Sequence, residues 1–163
     1  MKVVIYMAMS ANGFIADRNL KTPWSDEEWQ EFNLFQDSCG AILVGRITYD
    51  LMVEHDELVD GANYYIASSQ PNLDTESAVK YINVTSAGDL PKVDVLGVAG
   101  GTKLNTFIMS LGIVDEIILD VEPHIFTEGV PLFDSLPIDY KLVLLDTKKL
   151  NENTIQLRYK VGG

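Results

Sequence analysis

Two apolar runs in this chain stop at glycine and pass directly into helix-compatible sequence, and this arrangement constrains the fold most. The first is Ala41–Val44, continuing into Gly45-Arg46-Ile47-Thr48-Tyr49. The second is Val93–Ala99, continuing into Gly100-Gly101-Thr102-Lys103-Leu104. A short run rich in Val, Ile and Leu, closed by a breaker, reads as a buried strand. A strand that turns through glycine into a helix starts a crossover to a parallel neighbour.

The rest of the chain extends this pattern. Lys2–Met9 reads as a buried strand, and Ser10–Pro23, with Asn12-Gly13 and a proline, as a loop carrying the apolar patch Phe14-Ile15-Ala16. Ser25 to about Asp37 reads as an amphipathic helix. Trp29, Phe32 and Phe35 or Gln36 share one face, and Ser25-x-x-Glu28 forms a capping box. A short helix runs through Tyr49–Met52, and strands are expected at Asn63–Ala67 and Val79–Val84. Thr102–Leu111 is a helix whose Leu104, Phe107, Ile108 and Leu111 face the core, with Gly112 at C′. Glu116–Val121 is a strand, and Tyr140–Leu150 with Thr154–Val161 reads as a hairpin. The expected architecture is a single α/β domain over 1–163: a mostly parallel sheet, helices on both faces and an antiparallel edge. Ligands on such sheets bind beyond the carboxyl ends of the strands, so the strand-to-helix turns carry the candidate site.

Charge narrows the function classes. The net charge is -12, which argues against general nucleic-acid binding and against docking on anionic lipid. It still permits an anionic small ligand held locally at a helix N-terminus. One cysteine, Cys39, precludes an intramolecular disulfide and fits a reducing cytoplasm. No His-x-x-x-His or Cys-x-x-Cys spacing occurs, so no metal is expected.

The turn at Gly100-Gly101-Thr102-Lys103 fits two readings: a tight strand-to-helix turn, or a phosphate cradle of backbone N–H groups backed by a lysine. It matches neither G-x-G-x-x-G nor a Walker A loop. Gly45-Arg46-Ile47-Thr48 repeats the ambiguity with a guanidinium suited to phosphate. Ser68 and Ser69 close a strand, where hydroxyls either satisfy a turn or bind phosphate and ribose.

Taken in order, these segments resemble the dihydrofolate reductase-like superfamily from about Val3 to Phe133. The branch is the one that includes the reductase domain of the bifunctional riboflavin-biosynthesis deaminase-reductase. Ser10–Ala16 resembles the nicotinamide-covering loop, Gly45-Arg46-x-Thr48 a cofactor turn, Ser68-Ser69 the adenosine-phosphate turn, and Gly100–Leu104 with Phe107 the pyrophosphate turn and helix. Val114–Leu119 and Pro131-Leu132-Phe133 resemble that branch in particular. The resemblance implies a three-layer dihydrofolate reductase-like fold and NADPH as cofactor. Arg46 and Ser68, with Ser69, would serve the adenosine 2′-phosphate. Gly100, Gly101, Thr102 and Lys103, with Thr48, Gly45 and Leu104, would serve the pyrophosphate region, and Ala8 and Ile15 would line the nicotinamide.

Hydride transfer to a C=N or C=O bond also needs a proton. In dihydrofolate reductases an acid lies on the first helix, shortly after the tryptophan matching Trp24. Asp26 and Glu28 are the candidates here, although Glu28 also fits the capping box and Asp26 also suits the helix dipole. Trp24 and Phe14 are candidate substrate contacts. The riboflavin-branch substrate carries a phosphate, and Arg18 and Lys21 are the only basic residues at hand for it. The expected function is an NADPH-dependent reductase of a small pterin-like or pyrimidine-like heterocycle, with a homodimer built on the sheet edge or hairpin. The alternative is a nucleotide-binding or regulatory protein on the same fold that does not turn over.

Overall fold

The computed structural model describes residues 1–70 and 79–162. Ten strands and three helices follow in order: β1 (Lys2–Ser10), β2 (Phe14–Asp17), α1 (Asp26–Ser38), β3 (Ala41–Gly45), α2 (Arg46–Glu54), β4 (Tyr64–Ala67), β5 (Lys80–Ile82), β6 (Val95–Val98), α3 (Thr102–Ser110), β7 (Glu116–Glu122), β8 (Gly129–Pro131), β9 (Leu142–Lys149) and β10 (Ile155–Val161). The main sheet has the order β5-β4-β3-β6-β1-β7-β10-β9. The pairs from β5 through β7 are parallel, and β10 joins β7 and β9 antiparallel. The parallel sheet and its antiparallel C-terminal edge are as the sequence implies.

Alternation along β1 shows why helices cover both faces. Val3 and Ile5 join a cluster with Leu43, Val98, Leu104 and Ile108, which places α3 on that side. Tyr6 joins Phe32, Val44, Met52 and Ile66, which places α1 and α2 on the other. Ile108 is fully buried, and a buried Ile or Leu stabilises by about 1.5–3 kcal/mol relative to an exposed one. Gly112 has φ +66, the left-handed cap that ends α3.

The segment Ser10–Pro23 is not entirely loop. Phe14–Asp17 forms β2 and pairs antiparallel with β8 in a separate two-stranded sheet. An alternation of only four residues is too short to register as a strand, and its partner lies over a hundred residues away. Gly129 makes the pairing possible, since a Cβ there would collide with the Ala16 carbonyl. Other boundaries shift: β1 reaches Ser10, β7 reaches Glu122, and β5 and β6 are shorter than expected. On the buried face of α1, Gln36 is the one of the two expected alternatives that is buried beside Phe32, and Glu28 joins them unexpectedly. Gln36 Oε1 accepts from the Tyr64 hydroxyl at 2.6 Å, which satisfies the buried amide.

Candidate active-site cleft

Because β3 and β6 are parallel neighbours, in register from Ala41↔Leu96 to Leu43↔Val98, their carboxyl ends lie together. The Ala99 N–H donates to the Leu43 carbonyl at 3.0 Å, and one step on the Gly45 N–H donates to the Gly100 carbonyl at 2.7 Å. The two glycine turns are thus a single structural unit. Gly100 has φ +88 and joins Gly101 through a cis peptide bond. A Cβ on Gly101 would stand 3.3 Å from Thr48 Oγ1, and one on Gly45 would stand 3.4 Å from the Gly101 nitrogen. Helices α2 and α3 start from this unit with glycine N-caps, and no side chain caps either. Two helix N-termini with uncapped N–H groups form a site suited to an anion.

Above this unit opens a cleft of about 700 Å³. Ala8, Ile15 and Trp24 line it from the β1–α1 region, Gly45, Arg46 and Thr48 from the β3–α2 turn, and Ser68 and Ser69 from the end of β4. Gly101, Thr102, Lys103 and Leu104 complete that wall. Gly100 is not in the lining, since its carbonyl faces Gly45. Phe14 is not in the lining either, because its side chain covers Gly129 on β8. Asp26 is exposed on the first turn of α1, outside the cleft. Arg46 Nε lies 3.2 Å from Asp50 Oδ2, and the guanidinium sits 5.3 Å from the centre of the Tyr81 ring. The Thr102 hydroxyl donates to the Pro131 carbonyl, and Asn105 Nδ2 donates to the Leu132 carbonyl at 3.2 Å, which fixes the segment after β8 on α3.

The Glu28 carboxyl has a different setting from the one a capping box implies. Ser25 Oγ accepts from the Glu28 N–H at 3.3 Å, which is half of the box. The reciprocal half is absent: the Ser25 N–H donates instead to Glu122 Oε1 at 3.1 Å. Glu28 is 2% exposed, lines the cleft, and its Oε2 has no hydrogen-bond partner among the described residues. Burial pushes its pKa up to about 9, with Asp120, Glu122 and Glu57 adding to the rise, so it holds a proton at neutral pH. Asp120 is fully buried and accepts from the Tyr6 hydroxyl, and burial raises its pKa to about 6. Burial and the neighbouring Asp120 raise the Tyr6 phenol as well.

The cleft also contains residues that sequence reasoning passed over. His55 and Glu57 line it, although Glu54-His55-Asp56-Glu57 reads as a solvated loop. Phe32 also lines the cleft, as does Trp29, which the sequence offers either as a pocket residue or as a core anchor. Asp120 and Glu122 did leave a trace, as two acids at alternate positions of the apolar run Ile117–Glu122.

No family profile matches the chain. It is 28% identical to the uncharacterised protein YwjB of Bacillus subtilis, over 97% of both chains. It is 25% identical to the uncharacterised protein YyaP of the same organism, over 99% of this chain and 96% of that one. Among solved structures, a Shewanella sp. PV-4 protein assigned provisionally to riboflavin biosynthesis superposes over the full length of both chains, with TM-score 0.83 and 16% identity. A pyrimidine reductase-like protein of Corynebacterium diphtheriae gives TM-score 0.78 and 17% identity, over 99% of this chain and 92% of that one. The Thermotoga maritima diaminohydroxyphosphoribosylaminopyrimidine deaminase/5-amino-6-(5-phosphoribosylamino)uracil reductase gives 0.74 and 14%, over 99% of this chain and 56% of that one. The chain therefore has the dihydrofolate reductase-like fold. Its form is the one taken by riboflavin-pathway and pyrimidine reductase-like proteins.

Proposed function

We propose that this chain is an NADPH-dependent reductase of a small heterocycle, pterin-like or pyrimidine-like. The observation that carries this reading is the sharing of one cleft by two uncapped helix N-termini and a buried Glu28 carboxyl whose Oε2 has no partner among the described residues. The uncapped N–H groups and the room that only glycine leaves beside Thr48 suit a pyrophosphate. Gly101, Lys103 and Thr48 hold it there, and Thr102 contributes its backbone N–H, since its hydroxyl is bonded to Pro131. Arg46, Ser68 and Ser69 take the adenosine 2′-phosphate, and Ala8 and Ile15 flank the nicotinamide. NADPH, when bound, supplies the hydride. Glu28 donates the proton to the reduced bond, and Trp24, Trp29 and Phe32 keep the ring end dry. Phe14 and Asp26 stand outside the cleft and have no part in this assignment.

Titration with NADPH and with NADH tests the reading, followed by the fluorescence of Trp24 and Trp29. Tighter binding of NADPH is the expected result, and binding of neither overturns it. Oxidation of NADPH on addition of a ring substrate separates a reductase from a protein that only holds the nucleotide.

The reading extends to a cytoplasmic homodimer. The lone Cys39 supports a reducing compartment, and no helix among the described residues is long and apolar enough to cross a membrane. Edge strand β9 leaves Val143, Leu144 and Leu145 about half exposed, an apolar stretch suited to a second copy. Sedimentation at micromolar concentration is expected to give a species of twice the 18.1 kDa chain mass. A monomer alone would remove the dimer.

A further inference from the structure

Charge is unevenly distributed along the cleft. Its two cationic lining residues, Arg46 and Lys103, both stand in first turns, at the starts of α2 and α3. Nine residues of α2 span about 13 Å and lead away from that end to His55 and Glu57. There Met52 of α2 shares a core cluster with Phe32 of α1, and Glu28 faces the same space. The Glu57 N–H donates to the Met52 carbonyl at 2.8 Å and Glu57 lines the cleft there, so the two acids belong to one end. Arg18 and Lys21 are exposed and outside the lining, although Leu20 and Thr22 are part of it. Residues 71–78 contain no Lys, Arg or His, so they bring no cation to the cleft.

This end therefore combines an aromatic wall with acids. An unpartnered carboxyl oxygen at Glu28 is costly to bury and is relieved by a ligand that supplies the missing bond. A protonated carboxyl offers one donor and one acceptor, which matches an adjacent donor and acceptor on the edge of a planar ring. A ligand phosphate here would meet the Glu57 carboxylate, with the exposed His55 imidazole beside it and no Lys or Arg lining this end, and like charges brought together oppose binding.

Resting on the reductase reading, we propose that the ring end takes an uncharged or cationic planar heterocycle and turns away rings that carry phosphate, with Glu57 setting the discrimination. The chain would then differ from the Thermotoga maritima uracil reductase, which is named for a phosphoribosylamino substrate.

The test is calorimetric titration of the full chain with hydroxymethylpterin and with its phosphate ester, with and without saturating NADPH. The unphosphorylated ring is expected to bind at least about tenfold tighter. Glu57→Gln narrows the ratio, and Glu57→Lys closes or inverts it, while NADPH affinity holds. Three results overturn the proposal: no binding of hydroxymethylpterin, equal or tighter binding of its phosphate by the unmodified chain, or an unchanged ratio in Glu57→Lys. If NADPH fails to bind while the ratio between the rings holds, the reductase reading falls and the charge selection stands.

Discussion

Glu122 Oε1 accepts both the backbone N–H of Ser25, at 3.1 Å, and its hydroxyl, at 2.6 Å. A carboxylate from β7 thereby fills the place that a capping box assigns to Glu28, and the Glu28 side chain turns to the cleft. Glu122 Oε2 also accepts from the Thr154 hydroxyl at 3.1 Å, so one buried acid ties α1 to the turn between β9 and β10.

Removing that tie has two consequences. Glu122→Ala leaves the Ser25 and Thr154 donors unpaired and is expected to cost about 2–4 kcal/mol in urea denaturation. Glu122→Gln keeps an acceptor but removes a charge that raises the Glu28 pKa. Its rate profile is expected to lose activity at lower pH than the unmodified chain, an effect that loss of packing alone would not produce.

Glu28 itself links stability to pH. Its pKa rises from 4.5 to about 9 on folding. Between those values the unfolded chain has released a proton that the folded chain keeps, so stability falls as pH rises through that window and levels off above it. Asp120, raised from 3.8 to about 6, adds a fall of the same sign at the acid end. Thermal melts of Glu28→Gln across this range should show a flatter dependence. Turnover of the variant should drop by about 10²–10⁴, the usual contribution of a general acid, with NADPH affinity unchanged.

Arg46→Ala is expected to weaken NADPH much more than NADH, because only NADPH has the extra phosphate. Equal loss for both would show that Arg46 does not read that group. Asp50→Asn should tighten NADPH slightly, since the Arg46–Asp50 pair is exposed and worth at most about 1 kcal/mol. Fluorescence titration of both variants measures this.

Gly100→Ala should lose both stability and cofactor. At φ +88 a side chain is strained, and its Cβ would press on Met7 at 3.0 Å. A destabilisation of about 1–3 kcal/mol is expected in thermal melts, together with weaker NADPH binding.

The alternation of strands and helices was legible because hydrophobic period and glycine breaks are local signals. Both glycine turns were legible for the same reason, as each lies within seven contiguous residues. Pairing of β2 with β8 was not, because it joins short segments far apart in sequence. Glu28 was visible as a candidate acid, but its release from the helix cap depends on Glu122, almost a hundred residues away. His55 and Glu57 were hidden because polar residues at a helix exit read as solvated; His55 is indeed exposed and Glu57 half-buried, and only the tertiary fold brings them to the cleft.

The hydrogen bond between Gly45 and Gly100 concentrates two helix starts at one point of a chain carrying -12. Attraction by helix ends fades within about a turn, whereas the net charge is felt over a Debye length, roughly 8 Å at physiological salt. An anionic nucleotide bound there as proposed would therefore be repelled on approach and attracted only on arrival. Raising ionic strength should speed its association, the reverse of electrostatic steering, until the final contacts are themselves screened.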